Sequence, residues 1–377
     1  MPITQEDRYE RIERTKKRME EERIDLMLVY GDAWRDGNLR YFAGIAPFSA
    51  KFTASGIGPF ALIAIPAKEQ PIYFCPDFLV DSVKMEVETI HERWLKIEPW
   101  SGCIDTLEQL KKRSGSKAVA LSGEDIVPQV IHSVFIRALG EMRSTDIPES
   151  LRIVKSEKEI ALLEKAAKIA DELYEDITQG LLKKGKTEME IARQIMMSAI
   201  SKGADEVASD TLVMSGRYTE TRLGKARDVP LAGDQLVEFH ICPRYQNYCC
   251  DCDRAIGFGR ITREQKELLE VAKQAHEKGR EAIRPGVKGS QVLQAEKSVN
   301  ESLVGTTDAI VYGHGIGLQV EEIGFIDDWI LEPGMTFTLA GGTYKKGVGA
   351  VRIEDVCVVT QQGGRSLNKF ERAPMIP

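Results

Sequence analysis

The segment 313–360 constrains the fold of this chain more than any other. Apolar residues alternate there with closely spaced glycines, most clearly in residues 313–318, 333–342 and 351–356. Such a pattern predicts short strands joined by glycine-containing turns. The segment also carries His314 and Glu354, and imidazole and carboxylate side chains bind cations and move protons.

The length of the chain predicts two domains, because 377 residues exceed the usual size of one hydrophobic core. A surface helix is predicted over residues 5–23. Short apolar runs then indicate strands at residues 24–30, 60–66, 72–75 and 118–121. Because these runs alternate with helical stretches, residues 1–148 are predicted to form a small α/β domain.

The pattern changes near residue 150, where helix-start signals become strong. Ser156 with Glu159, and Thr187 with Glu190, have the spacing of capping boxes. A further helix is predicted over 262–283, and strands and turns are predicted over 207–259 and after 286. Residues 149–377 are therefore predicted to form an α+β domain.

Charge and composition exclude several classes of function. The formal net charge of −7 argues against nucleic acid as a partner, because phosphate binding needs a surplus of cations. We find no run of about 18 apolar residues, as a membrane span requires. The first residues lack the apolar core of a signal peptide, and an odd count of seven cysteines fits reduced thiols, so a cytoplasmic location is expected.

Several landmarks, in this order and spacing, carry a resemblance to a known superfamily. They are residues 151–155, Ser215-Gly216, 230–234, 248–254, 284–286, 313–318 and 352–355. Together they resemble the creatinase, prolidase, aminopeptidase P and methionine aminopeptidase superfamily. The resemblance implies a creatinase-type N-terminal domain (1–148), a pita-bread catalytic domain (149–377), a small-molecule substrate and a homodimer.

The resemblance also implies a ligand pattern, which this chain only partly keeps. Metal-using members hold two cations with two Asp, one His and two Glu side chains. The second Asp and the His correspond to Asp251 and His314, and the second Glu corresponds to Glu354. The first Asp, eleven positions before Asp251, is replaced by His240, and the first Glu is replaced by Ala340. A methyl group cannot bind a cation, so the usual pair of metals is not expected.

The first reading is a metal-independent hydrolase of the creatinase type, cleaving a C–N bond in a small carboxylate-bearing nitrogen compound. No cofactor is expected in this reading. His314 or His240 would relay the proton, together with Glu354 as a catalytic carboxylate. Asp251 would bind a cationic group of the substrate, and Arg352 its carboxylate. However, the creatinase proton-transfer histidine corresponds to Leu223 here, so that mechanism does not transfer intact.

Two alternatives remain open. In the first, His240, Asp251, His314 and Glu354 bind a single zinc, iron or manganese ion in an Xaa-Pro dipeptidase-like hydrolase or a lyase. In the second, the chain has lost catalysis and binds a peptide or a protein partner.

The remaining candidate residues are interpreted as structural or as additional substrate-binding positions. Asp253 is interpreted as structural, paired with Arg254 or another surface base. Cys249, Cys250 and Cys252 are interpreted as core fillers, because cysteine behaves as a small hydrophobic residue. Trp34 and Arg35 occupy a loop that in this superfamily reaches a neighbouring subunit's cleft, so both are substrate-binding candidates.

Overall fold

The computed structural model describes residues 2–45, 60–89, 94–115, 118–304 and 310–377. These residues fall into two compact units, Ile3–Arg152 and Ile153–Pro377. The sequence places the domain boundary after residue 148, and the units divide after Arg152. Within the described ranges, no helix is both long and apolar enough to cross a bilayer.

The N-terminal unit is built on one mixed sheet. Its helices are α1 (Gln5–Glu21), α2 (Gly37–Ala43), α3 (Val80–Thr89), α4 (Cys103–Ser114), α5 (Gln129–Leu139) and α6 (Ile147–Ile153). Its strands are β1 (Leu26–Asp32), β2 (Phe60–Pro66), β3 (Ile72–Cys75), β4 (Lys96–Pro99), β5 (Val119–Ser122) and β6 (Arg143–Ser144). They lie in the order β4-β3-β2-β1-β5-β6, with β1 antiparallel to β2 and parallel to β5. The predicted α/β character of this unit is confirmed.

The C-terminal unit has a larger, mainly antiparallel sheet. Its helices are α7 (Glu157–Asp176), α8 (Glu188–Ser201), α9 (Arg263–Ala282) and α10 (Gly289–Val304). Its strands are β7 (Glu206–Val207), β8 (Leu212–Ser215), β9 (Gln235–Ile241), β10 (Pro243–Tyr245), β11 (Tyr248–Cys249), β12 (Cys252–Phe258), β13 (Ile310–Tyr312), β14 (His314–Gly315), β15 (Glu322–Phe325), β16 (Thr336–Lys345), β17 (Gly349–Thr360), β18 (Gly363–Ser366) and β19 (Met375–Ile376). The main path through the sheet is β15-β14-β16-β17-β12-β9-β8.

Both predicted capping boxes are present. Ser156 Oγ accepts from the backbone N–H of Glu159 at 3.3 Å, and the Glu159 carboxylate accepts from the backbone N–H of Ser156 at 2.8 Å. Thr187 and Glu190 make the same reciprocal pair at 3.1 and 2.7 Å. These bonds satisfy backbone donors that have no partner inside the helix, so they fix where α7 and α8 begin.

The helix α10 was missed, since the sequence predicts strands after residue 286. It begins at a glycine because of a close backbone approach: a Cβ atom on Gly289 would lie 1.9 Å from the carbonyl oxygen of Ile326. A glycine at that point hides the helix start from a reading based on composition.

The strand β17 separates a helix-packed face from the face that carries the functional side chains. Side chains alternate between the two faces of a strand. Cys357 and Val359 belong to a buried cluster with Val292 of α10. The even-numbered residues Arg352 and Glu354 therefore point to the opposite side of the sheet.

Candidate functional site

One cross-strand row carries most of the functional groups. Register pairs Tyr312 with Ala340, Ala340 with Glu354, Glu354 with Asp253, and Asp253 with His240. Directly opposed residues share a face of the sheet, so the row presents a phenol, a methyl group, two carboxylates and an imidazole side by side. The methyl of Ala340 lies beside Glu354, at the position that the resemblance assigns to a carboxylate ligand.

Asp251 and His314 complete the cluster from outside this row. Asp251 directly precedes β12, and His314 begins β14. His314 Nε2 lies 3.6 Å from Asp251 Oδ2 and 3.6 Å from Glu354 Oε1. His314 Nδ1 lies 3.1 Å from the carbonyl oxygen of Gly315, which can only accept a hydrogen bond. Nδ1 therefore donates to that oxygen, and Nε2 is the ring nitrogen that faces the two carboxylates.

The Glu354 carboxylate is buried and poorly satisfied. Its exposed fraction is 1%, and Oε1 has no hydrogen-bond partner among the described residues. Tyr312 donates its hydroxyl to Oε2 at 3.4 Å. Burial, followed by the nearby charges of Asp251 and Asp253, raises the pKa of Glu354 well above its usual range. An acid in this setting needs either a proton or a cation.

Asp253 orients His240. Asp253 Oδ1 lies 2.8 Å from His240 Nδ1, and Asp251 Oδ1 lies 3.3 Å from the same nitrogen. Burial lowers the pKa of His240, but the two carboxylates outweigh this effect and raise it to about 9. The other ring nitrogen, Nε2, faces Ser209 Oγ at 2.9 Å and Cys242 Sγ at 3.2 Å.

Of the pairings predicted for Asp253, the one with Arg254 is wrong, because Arg254 points to the other face of the sheet and pairs with Asp355. Asp253 instead forms an ion pair with Arg352, whose Nε also lies 3.6 Å from Glu238 Oε1. Burial would raise the pKa of Asp253, but Arg352 and His240 hold it well below its usual range. Arg352 is itself only 3% exposed and balances buried carboxylates, so its predicted binding of a substrate carboxylate stays a prediction.

Trp34 and Arg35 belong to the N-terminal unit. The backbone N–H groups of both residues donate to Asp32 Oδ1 at 2.8 and 2.9 Å, which fixes the turn after β1. Trp34 is exposed and Arg35 pairs with Asp125. Their role in substrate binding stays a prediction. Leu223 is also exposed, so an apolar side chain stands where the resemblance places a substrate-handling histidine.

Sequence reasoning missed three residues of the site: Tyr312, Cys242 and the role of Asp253. A weak signal existed for two of them. Cys242 follows His240 by two positions and Asp253 follows Asp251 by two, the spacing that puts side chains on one face of a strand. No signal of that kind marks Tyr312, because its place opposite Ala340 depends on strand pairing.

Two groups of these side chains have ligand atoms close enough together to share a metal ion. They are His240, Asp251, Asp253 and Glu354, and His240, Cys242 and Asp251. The crowding of three buried carboxylates favours a bound divalent cation over the expectation of no cofactor. His314 lies beside the larger group, because its Nε2 is 3.6 Å from Asp251 Oδ2 and 3.6 Å from Glu354 Oε1.

Comparison with known proteins extends over nearly the whole chain. Residues 161–361 match the family model of metallopeptidase family M24, and residues 11–154 match the creatinase/prolidase N-terminal domain. These matches confirm the predicted fold class, an α/β creatinase-type N-terminal domain followed by an α+β pita-bread catalytic domain.

Individual relatives agree with these domain matches. The chain is 28% identical over 371 residues to an Xaa-Pro dipeptidase of Pyrococcus horikoshii, covering 96% of this chain and 98% of that protein. It is 31% identical over 319 residues to an uncharacterized peptidase of Staphylococcus aureus, covering 83% of this chain and 88% of that protein. The solved Xaa-Pro dipeptidase from Bacillus anthracis has a TM-score of 0.83 at 25% identity, covering 98% of this chain and 100% of that one.

Proposed function

The chain belongs to metallopeptidase family M24 and is a hydrolase, and from that premise we propose that it is a divalent-cation-dependent hydrolase of short Xaa-Pro peptides. In this proposal Asp251, His314 and Glu354 hold one cation, and His240 lies beside it. The observation that carries the proposal is the convergence of His314 Nε2 on Asp251 and Glu354 at 3.6 Å each, with Glu354 Oε1 otherwise without a hydrogen bond among the described residues.

The substrate class rests on the relatives. Xaa-Pro dipeptidases of Pyrococcus horikoshii and Bacillus anthracis match this chain over nearly their full length. The exposed Leu223 marks a departure, so we expect the substrate to be held without the histidine that the resemblance places there. Short peptides with proline in the second position are therefore the first substrates to test.

A divalent cation, when bound, lowers the pKa of a coordinated water and so supplies a nucleophile at neutral pH. The residues of the chain prepare its position. The carbonyl of Gly315 holds the His314 ring so that Nε2 faces Asp251 and Glu354. Tyr312 donates to Glu354 Oε2, which leaves Oε1 directed at His314.

His240 is the proton carrier in this proposal. Asp253 Oδ1, 2.8 Å from Nδ1, fixes the orientation of the ring. A protonated imidazole beside the cation can donate to a departing amine. The low polarity of the surroundings strengthens each of these charge interactions relative to water.

A metal-independent reaction of the creatinase type is less well supported. Three buried carboxylates and His240 have ligand atoms close enough together to share a metal ion, and the chain belongs to a metallopeptidase family. The homodimer and the cytoplasmic location stay predictions.

The test is hydrolysis of Xaa-Pro dipeptides before and after metal removal. We expect a strong chelator to abolish cleavage, and Mn²⁺ to restore it. The His314→Ala variant should lose at least about 100-fold in restored activity, because even residues that only orient metal ligands contribute 10- to 100-fold. His132→Ala, at a half-buried histidine of the N-terminal unit, is the matched control and should behave like the wild type.

Two outcomes contradict the proposal. Cleavage that continues after complete metal removal would support the metal-independent mechanism instead. Absence of cleavage across a panel of Xaa-Pro dipeptides, with cation bound, would reject the substrate class.

A further inference from the structure

The two ring nitrogens of His240 face different sets of atoms. Nδ1 is held by Asp253, as described above. Nε2 lies 3.2 Å from Cys242 Sγ, and that sulfur lies 3.3 Å from Asp251 Oδ1. We propose that His240 Nε2, Cys242 Sγ and Asp251 Oδ1 form a second cation site, selective for thiophilic ions such as Zn²⁺, Cd²⁺ or Co²⁺. This inference goes beyond the proposed function, because it requires no peptide hydrolysis.

The spacings of the sulfur from Nε2, 3.2 Å, and from Oδ1, 3.3 Å, suit one ion, and the ligand atoms of the three side chains lie within 4.8 Å of one another. Zinc binds sulfur at about 2.3 Å and nitrogen or oxygen at about 2.0–2.2 Å, so its ligand atoms lie roughly 3.5 Å apart. The ligand set joins a soft thiolate to an imidazole and a carboxylate, which favours zinc-like ions over magnesium or manganese. Three protein ligands leave a fourth position of a tetrahedral ion open.

The surroundings of His240 are those of a metal-binding histidine. A ligating histidine usually donates its other ring N–H to a carboxylate, which fixes the tautomer and the ring orientation. Asp253 Oδ1 lies 2.8 Å from Nδ1 and supplies that carboxylate. Arg352 in turn pairs with Asp253, so the supporting group is itself held in place.

Asp251 joins this site to the first one. Its Oδ1 faces Cys242 and His240, whereas its Oδ2 faces His314. A carboxylate with its two oxygens turned to different ligand groups can serve two ions. The chain thus lacks a ligand at Ala340 but has an additional one, Cys242, on the opposite side of Glu354. Cys242 follows His240 by two residues.

The role of a simple core residue does not explain Cys242. Its sulfur contacts an imidazole and a carboxylate, whereas the buried Cys250 has the amide group of Asn368 as its sulfur's hydrogen-bond partner. A nucleophilic role fits poorly, because Cys242 is 1% exposed and burial raises the pKa of its thiol well above the usual range. An incoming cation would displace the thiol proton and the Nε2 proton to solvent. His240 can thus act as a proton carrier only while this second position is empty.

The experiment is a titration of the metal-free, full-length protein with Cd²⁺ and Co²⁺, followed by thiolate-to-metal charge-transfer absorption. We expect a thiolate band in the wild type that saturates by two equivalents, because the first site also takes up these ions. Cys242→Ala should lose the band, and Cys250→Ala, the matched buried-thiol control, should keep it. His314→Ala should also keep the band, because it disturbs only the first site.

These variants distinguish a failure of the second cation site from a failure of the proposed function. A wild type without a thiolate band, or a band that persists in Cys242→Ala, overturns the inference whatever the peptidase assay shows. A band that depends on Cys242 in a protein that cleaves no Xaa-Pro peptide supports the inference and rejects only the proposed function. Cys242→Ser, checked by circular dichroism, repeats the test with a smaller change of volume if the alanine variant does not fold.

Discussion

Glu354 and Asp355 are adjacent on β17, both are almost fully buried, and their environments are opposite. Asp355 faces the helix side of the sheet. Its Oδ1 accepts from Arg254 at 2.6 Å, and its Oδ2 lies within 2.6–3.1 Å of Arg372, Ser366 and His276. On the other side, the Glu354 carboxylate accepts a long hydrogen bond from Tyr312 at 3.4 Å, and its Oε1 accepts none from the described residues.

The difference shows how a structural carboxylate is told from one prepared for a ligand. Burial raises the pKa of both acids. For Asp355, Arg254 and His276 outweigh burial and hold the pKa well below the usual range. For Glu354, Asp251 and Asp253 add to burial and raise it further. Asp355 therefore stabilises the fold as an anion, whereas Glu354 becomes a stable anion only when a cation arrives.

A buried carboxylate without a hydrogen-bond partner is not by itself a metal site, as Glu296 shows. Both carboxylate oxygens of this α10 residue lack a hydrogen-bond partner among the described residues, and burial raises its pKa to about 8. His276 Nδ1 is 4.0 Å away. Glu296 is thus a buried neutral acid, and what distinguishes Glu354 is the convergence of several ligand atoms on it.

The largest expected effect is the loss of stability on removing Asp355. Asp355→Ala leaves Arg254 buried without its ion-pair partner, and breaking a buried pair in this way costs about 3–5 kcal/mol. Urea unfolding of the metal-free protein measures the change. Asp328→Ala, which removes an exposed acid paired only with Lys288, should change the free energy of unfolding by less than about 0.5 kcal/mol. If Asp355→Ala lowers the free energy of unfolding no more than this control does, Asp355 is not the structural carboxylate described here.

The substitution Glu354→Gln should act on binding instead. We expect the affinity for Mn²⁺ to fall by at least about 100-fold, because an amide carries no charge and the ligand itself is lost. The metal-free variant should unfold at the same urea concentration as the wild type or a higher one, since a neutral side chain suits this buried position. Isothermal titration and urea unfolding measure the two effects, with the exposed Glu332→Gln as the control. Destabilisation as large as that of Asp355→Ala would show that Glu354 is structural.

A further effect concerns the pH dependence of stability at Glu296. The pKa of this acid rises from 4.5 to about 8 on folding, so the folded state holds a proton that the unfolded chain has lost. The stability it contributes is complete below pH 4.5 and is lost as the pH rises through about 8. Each pH unit inside that window removes at most about 1.4 kcal/mol.

Glu296→Gln tests this pH dependence. The free energy of unfolding of the variant, relative to that of the wild type, should increase steadily from pH 4.5 to 8. A difference that does not change with pH would mean that Glu296 is ionised in the folded protein and has a partner after all.

The sequence predicted the groups of the site better than their partners. His314 and Glu354 were found from their motifs, and His240 and Asp251 from their spacing. The register that puts Asp253 between His240 and Glu354 comes from pairing of β9, β12 and β17, which are far apart in the chain. No local pattern encodes such pairing, and for the same reason Tyr312 and the contact of Cys242 with His240 were not foreseen.

The fold shows the same division between local and long-range information. The capping boxes at Ser156 and Thr187 were predictable because they are local hydrogen-bond patterns. The helix α10 was not, because its first residue is a glycine required by the carbonyl of Ile326, a residue 37 positions further along the chain.

The most direct test of the central claim is anomalous scattering from crystals grown with Mn²⁺. The account predicts one manganese ion bounded by Asp251 Oδ2, His314 Nε2 and Glu354 Oε1, with no second manganese beside Ala340. Two fully occupied ions bridged by Asp251 and Glu354, or no ion at all between these three side chains, would contradict it.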